Sequence, residues 1–273
     1  MPQGAFADLR RSDPAAYFSD LFAPEPERRH LMALHAFAAE MAALAYRIHE
    51  PRAGEIRLQW WREALQSGDA WGNPLAEALI STVRSCGLPL SALERLLDAH
   101  AADFYADPPA NFSTFAGYAA DTEGVALQLG ALILGGKGEE SGEAAGHAAV
   151  ALALTRRLLR VEHDLRRGRL FLPADRLAVH GIAPKSLEAG RPATAALAAV
   201  AAEFRDVAMQ RAGLAEAALK QLPPALVPAF LPLAIVAPTL RRPRSGHPGV
   251  DPGPLPQWRL QWALWRAARR WSH

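Results

Sequence analysis

Arg156, Arg160 and Asp164 recur four residues apart in the stretch 154–173, LTRRLLRVEHDLRRGRLFLP. On an uninterrupted helix, residues four apart lie on one face. This row offers two chemistries. Arg160 and Asp164 can close an ion pair along the helix. Alternatively, Arg156 and Arg160 can turn their guanidinium forks to the oxygens of a diphosphate or another anion. A second set is Trp258, Trp262 and Trp265, which fall within about 60 degrees on a helical wheel beside Arg259, Arg266 and Arg270. A basic helix with exposed tryptophans can lie in a membrane interface. The simpler expectation is that these tryptophans cover a bundle while the arginines stay solvated.

Other familiar chemistry is absent from the sequence. His35, His100 and His163 are scattered, and no HExxH pair, GxSxG elbow, Walker loop or dinucleotide fingerprint occurs. The single cysteine, Cys86, can form neither an intramolecular disulfide nor a cysteine metal cluster. A net charge of +2 is too small to point to nucleic acid.

The elements that position these residues read as helices throughout. Half of the 273 residues are hydrophobic, largely the helix formers Ala and Leu, and no run alternates as a strand does. Asp13-Pro14 and Asn73-Pro74 look like N-cap and first-turn pairs. Further helices are expected over 26–49, 55–66, 91–105, 113–134, 143–166, 193–221 and 257–271. The stretch 168–185 reads as irregular, and the Pro-rich stretch 241–256 as a linker to a C-terminal helix. The longest uncharged run, 222–240, is long enough to span a bilayer. Five prolines interrupt it, so a buried, broken helix is expected instead. The N-terminus lacks the apolar core of a secretory signal. The expected setting is a bacterial cytoplasm, with peripheral contact at the inner face of the membrane.

Four segments carry a family resemblance: EPERRHLMALHAF at 25–37, EPRAGEIRLQWWREAL at 50–65, the RGRLFLP exit at 167–173 with its continuation, and the apolar run to Leu240 followed by PQWRLQWALWR at 256–266. Together they resemble the squalene/phytoene synthase family. The RLQWW run and the C-terminal motif are similar to a branch that includes a mitochondrial assembly factor for respiratory complex I. The resemblance implies a single all-α domain of the isoprenoid synthase type, with helices around a central cavity. Active members join two prenyl diphosphates head to head, with Mg²⁺ held by carboxylates on two facing helices to assist diphosphate departure.

The residues that would hold that metal are mostly replaced. The first aspartate motif falls on Ala42, Ala43 and Tyr46, and the second on Arg156, Arg160 and Asp164. Glu40 is too far around its helix to substitute and is expected to pair with Arg47 or Arg62. Arg28 and Arg29 match basic residues near the diphosphates of family members. Asp103 and Tyr118 match family residues bordering the cavity. The resemblance therefore implies a binding or assembly protein without a cofactor, able to take a prenyl diphosphate or other apolar-tailed anion, or a respiratory-complex subunit. The alternative is an active prenyltransferase, for which Mg²⁺ is required.

Overall fold

The structure, a computed structural model, describes residues 3–48, 50–105, 107–137, 139–168, 170–183, 194–241 and 252–271. Among these residues there are helices and turns but no strand. Expected starts and stops explain many boundaries. Asp13 caps α2 (Pro14–Asp20) by accepting from the Ala16 N–H. Asn73 caps α5 (Pro74–Cys86), and Gly87 ends it in the left-handed conformation, which costs glycine little. Between them run α3 (Glu27–Arg47) and α4 (Pro51–Ser67). The fourth helix starts at Pro51 rather than Glu55, because proline at the first helical position lacks only an N–H that would be unpaired anyway. A first helix, α1 (Gln3–Ser12), was not expected at all.

Two stretches that read as single helices are interrupted. The expected helix over 113–134 is α7 (Phe112–Ala119), a π-helical turn at Ala120–Gly124, and α8 (Val125–Ile133). The expected helix over 143–166 is α9 (Gly142–Leu158) and α10 (Val161–Arg166), with Leu159 and Arg160 between them. The stretch expected to be irregular contains α11 (Ala174–Val179).

The core follows from the alanines. One face of α9 buries Ala144, Ala145, Ala148 and Ala149. It packs along α12 (Thr194–Leu219), which buries Ala201, Phe204, Ala208, Ala212 and Ala215 at helical spacing. Small side chains on both faces let the two axes approach closely. A second apolar cluster, with Phe37, Trp61, Leu79 and Leu93, joins α3, α4, α5 and α6 (Leu90–Ala101). Trp61 is buried while its neighbour Trp60 is partly exposed, since consecutive helical residues point to different sides.

The uncharged stretch after Leu222 folds as expected. It breaks into a 3₁₀ turn at Pro224–Leu226, α13 (Val227–Phe230), a second 3₁₀ turn at Leu231–Ile235 and α14 (Val236–Leu240), largely buried. Among the described residues, no helix is long and apolar enough to cross a membrane. Most of the expected linker over 241–256 lies outside the described residues; α15 (Gln257–Trp271) follows it.

Candidate functional site

The sequence places an alanine-lined wall on α3 opposite a run of arginines at the end of α9. The structure closes these around a cavity of about 70 Å³. Ala38, Ala39 and Ala42 line one side, and Leu152, Ala153, Arg156, Arg157 and Arg160 the other. His100, Asp103, Tyr118 and Glu123 also line it, with Asp13 from the N-terminal region. Small-molecule pockets usually measure about 300–1,000 Å³. This space has room for a few waters.

Its acids are already matched. Arg156 reaches Asp13 Oδ2 and Glu123 Oε1, each at 2.8 Å. Asp13 thus caps a helix with one oxygen and takes a guanidinium with the other. Burial raises its carboxyl, but Arg156 and the Ala16 N–H outweigh that and hold it below the ordinary value. Arg157 donates to Asp103 Oδ1 at 2.8 Å and to the Tyr118 hydroxyl at 2.7 Å. Tyr118 in turn donates to Asp103 Oδ2 at 2.9 Å, and His100 Nδ1 lies 2.8 Å from the same oxygen. Burial opposes ionisation of Asp103, yet Arg157 and His100 hold its carboxyl well below the usual range. The Arg157 guanidinium also lies over the Phe171 ring, 4.6 Å from its centroid. His35 also lines the cavity, its Nδ1 2.8 Å from Asp20 Oδ1, both buried.

The structure brings Asp103, Tyr118, Arg156 and Arg160 together at the cavity and adds Asp13, Glu123 and Arg157. Asp13 was read only as a cap. Arg157 carried a signal of its own, a second arginine at the end of a helix otherwise rich in Ala and Leu.

The expected row of Arg156, Arg160 and Asp164 does not form. The break at Leu159 and Arg160 separates Arg156 from the other two; the Asp164 N–H still donates to the Arg160 carbonyl at 2.8 Å, but their side chains form no ion pair. Arg160 lies over the Tyr46 ring instead, 4.3 Å from its centroid. Asp164 is buried, with Oδ1 3.6 Å from His163 Nδ1, beyond hydrogen-bond reach. Burial raises its carboxyl, which Arg157, His163 and Arg160 only partly offset. The reading in which Arg156 grips an anion directly meets a guanidinium already held by two carboxylates.

The remaining candidates stand away from the cavity. Arg28 donates to the Ala23 carbonyl at 3.0 Å, and Arg29 pairs with Glu25 at 3.1 Å. Glu40 pairs with Arg47 at 2.9 Å, as expected, while Arg62 pairs with Asp98. Arg167, from the family-like exit, donates to the Tyr46 carbonyl at 3.0 Å and so caps the end of α3. Arg169 of the same exit lies outside the described residues.

The side chains facing the cavity do not fit Mg²⁺, which prefers six oxygen ligands in octahedral array. Alanines stand at two positions of the first motif and Tyr46 at the third. Asp13, Glu123 and Asp103 each face an arginine. Among the described residues, no three His, Cys, Asp or Glu side chains converge where they could hold a metal ion.

The family model for squalene/phytoene synthase matches residues 9–266. Among curated proteins, the NADH dehydrogenase (ubiquinone) complex I assembly factor 6 of Bos taurus is 28% identical over 177 residues, 64% of this chain and 53% of that protein. The assembly factor 6 of Homo sapiens is 27% identical over the same shares. The chain spans about half the length of these curated relatives. Among solved structures, a dehydrosqualene synthase in complex with ligand superposes with a TM-score of 0.82 at 16% identity, covering 97% of this chain and 94% of that one. A squalene synthase, HpnC from Alicyclobacillus acidocaldarius, gives a TM-score of 0.67 at 20% identity, covering 98% and 94%. At these identities the likeness speaks for the fold, a helical isoprenoid synthase bundle. With the family model matched over nearly all of its length, this chain belongs to the squalene/phytoene synthase family.

Proposed function

We propose that this chain is a non-catalytic member of its family, acting as a binding or assembly protein in the biogenesis of a respiratory complex. One observation carries the reading: arginines from α9 engage the acids facing the cavity. Prenyl diphosphate ionisation in this family needs free carboxylates to hold metal against the leaving group. Here Arg156 takes Asp13 and Glu123, and Arg157 takes Asp103. These ion pairs stiffen the centre of the bundle and give it a structural use. The small cavity agrees with this, since a prenyl chain would require the walls to part. The relatives named as complex I assembly factors supply the client class.

Deleting the gene in its host tests the role. Loss of assembled complex I, restored by the wild-type gene, is expected. Normal complex I levels together with a missing C30 or C40 isoprenoid would favour the prenyltransferase instead.

A further inference from the structure

The last helix corrects one expectation and opens another. Trp258, Trp262 and Trp265 do not cover the bundle, being 64%, 55% and 39% exposed. The buried side is formed by Leu260, Leu264, Ala267 and Trp271. At 100 degrees per residue, the centres of the two faces lie about 160 degrees apart, so the tryptophans point away from the bundle. Three large aromatics on one side of one helix are unusual on a surface that serves only to meet water.

The rings are arranged rather than scattered. Trp262 and Trp265 stack with centroids 5.0 Å apart. Arg259 lies over Trp258 at 5.0 Å and Arg269 over Trp265 at 4.4 Å. The helix carries four arginines, Arg259, Arg266, Arg269 and Arg270, and no acid. Arg270 is tied to Glu216. Apolar surface continues beside the helix, where Phe22, itself 41% exposed, shares a groove with Ala268.

We infer that this outward face docks on the surface of an anionic phospholipid bilayer. Indole rings suit the headgroup layer, being apolar bodies with one N–H donor. Guanidinium groups beside them meet lipid phosphates, and the anionic surface attracts a helix without acids. The inner face of the same helix stays packed on the bundle, so docking needs no unfolding. The charge favours this occupant over a second copy of the chain, whose identical face would bring arginines against arginines. The surface role is independent of what the cavity does.

Vesicle flotation of the full chain tests it. Binding is expected to vesicles of phosphatidylcholine with phosphatidylglycerol, and little to phosphatidylcholine alone. Replacing the three exposed residues (Trp258→Ser, Trp262→Ser, Trp265→Ser) should weaken partition by at least about ten-fold with the melting temperature retained. Arg259→Glu with Arg266→Glu should do the same, and added salt should weaken the wild type. Failure of the wild type to float, or equal flotation of the Trp variant, would overturn the assignment. A wild-type dimer in sedimentation velocity that the Trp variant dissolves would assign the face to a second copy and overturn it too.

Discussion

Replacing Arg157 by methionine should destabilise the bundle severely, and by a stated route. The guanidinium and Asp103 are 2.8 Å apart, with side chains 11% and 8% exposed. At an effective dielectric constant of about 20, unit charges at that distance attract by roughly 6 kcal/mol. Desolvation of both groups offsets much of this in the native pair. Removing Arg157 takes the main opposing charge from a buried carboxylate that keeps only Tyr118 and His100 among its named partners, a loss of about 3–5 kcal/mol. For a chain of this size the melting temperature should fall by on the order of 10 °C. Asp103→Asn with Arg157→Met removes both charges, and the double variant should be at least about 2 kcal/mol more stable than the two single losses summed. The pH dependence has a definite sign. In the wild type the Asp103 carboxyl is held below its ordinary 3.8, so its contribution is present above that value and is lost as pH falls through the lower folded value. In Arg157→Met, burial acts without the main opposing charge, and the carboxyl titrates higher. The deficit relative to wild type should therefore narrow as pH falls from 7 towards 4. Denaturant unfolding at several pH values reads all of this. Additive single losses, or a deficit unchanged with pH, would refute the reasoning.

Two further outcomes follow from other contacts. Burial lowers the proton affinity of His35, but Asp20 reverses this and lifts the ring above its ordinary 6.5, giving stability present below that value and lost as pH rises through the folded value. His35→Gln should flatten the fall in unfolding free energy between neutral and mildly alkaline pH, and an unchanged slope would count against the pairing. A Cβ on Gly54 would lie 2.3 Å from the Phe104 ring, so Gly54→Ala should destabilise by about 1–3 kcal/mol in thermal melts. An unaltered melting temperature would mean that Phe104 swings aside freely.

The helices were legible where local chemistry sets them. Asp13-Pro14, Asn73-Pro74 and Gly87 mark boundaries through capping and backbone preference, which act within a few residues. The breaks were not legible. Nothing in the run from Leu154 to Arg166 forbids a continuous helix, and the interruption at Leu159 belongs to tertiary packing. One missed break set Arg156 apart from Arg160 and Asp164, and the Arg160 guanidinium lies over Tyr46, so a side-chain row built on ideal geometry is not there. The matched charges at the cavity were hidden for a related reason. Asp13, Glu123 and Arg156 are far apart in sequence, and pairing them requires the fold. What the sequence did expose was substitution at motif positions, because Ala42 and Ala43 carry no carboxylate in any conformation. The outward tryptophans show the limit of a helical wheel, which groups Trp258, Trp262 and Trp265 but cannot say which side faces the bundle.

The central claim is that the arginine-matched cavity does not ionise prenyl diphosphates. Pyrophosphate release from farnesyl or geranylgeranyl diphosphate in the presence of Mg²⁺ tests it most directly. The account predicts no release above the protein-free background. Sustained turnover that is abolished by Asp164→Ala, in a variant that remains folded, would contradict it.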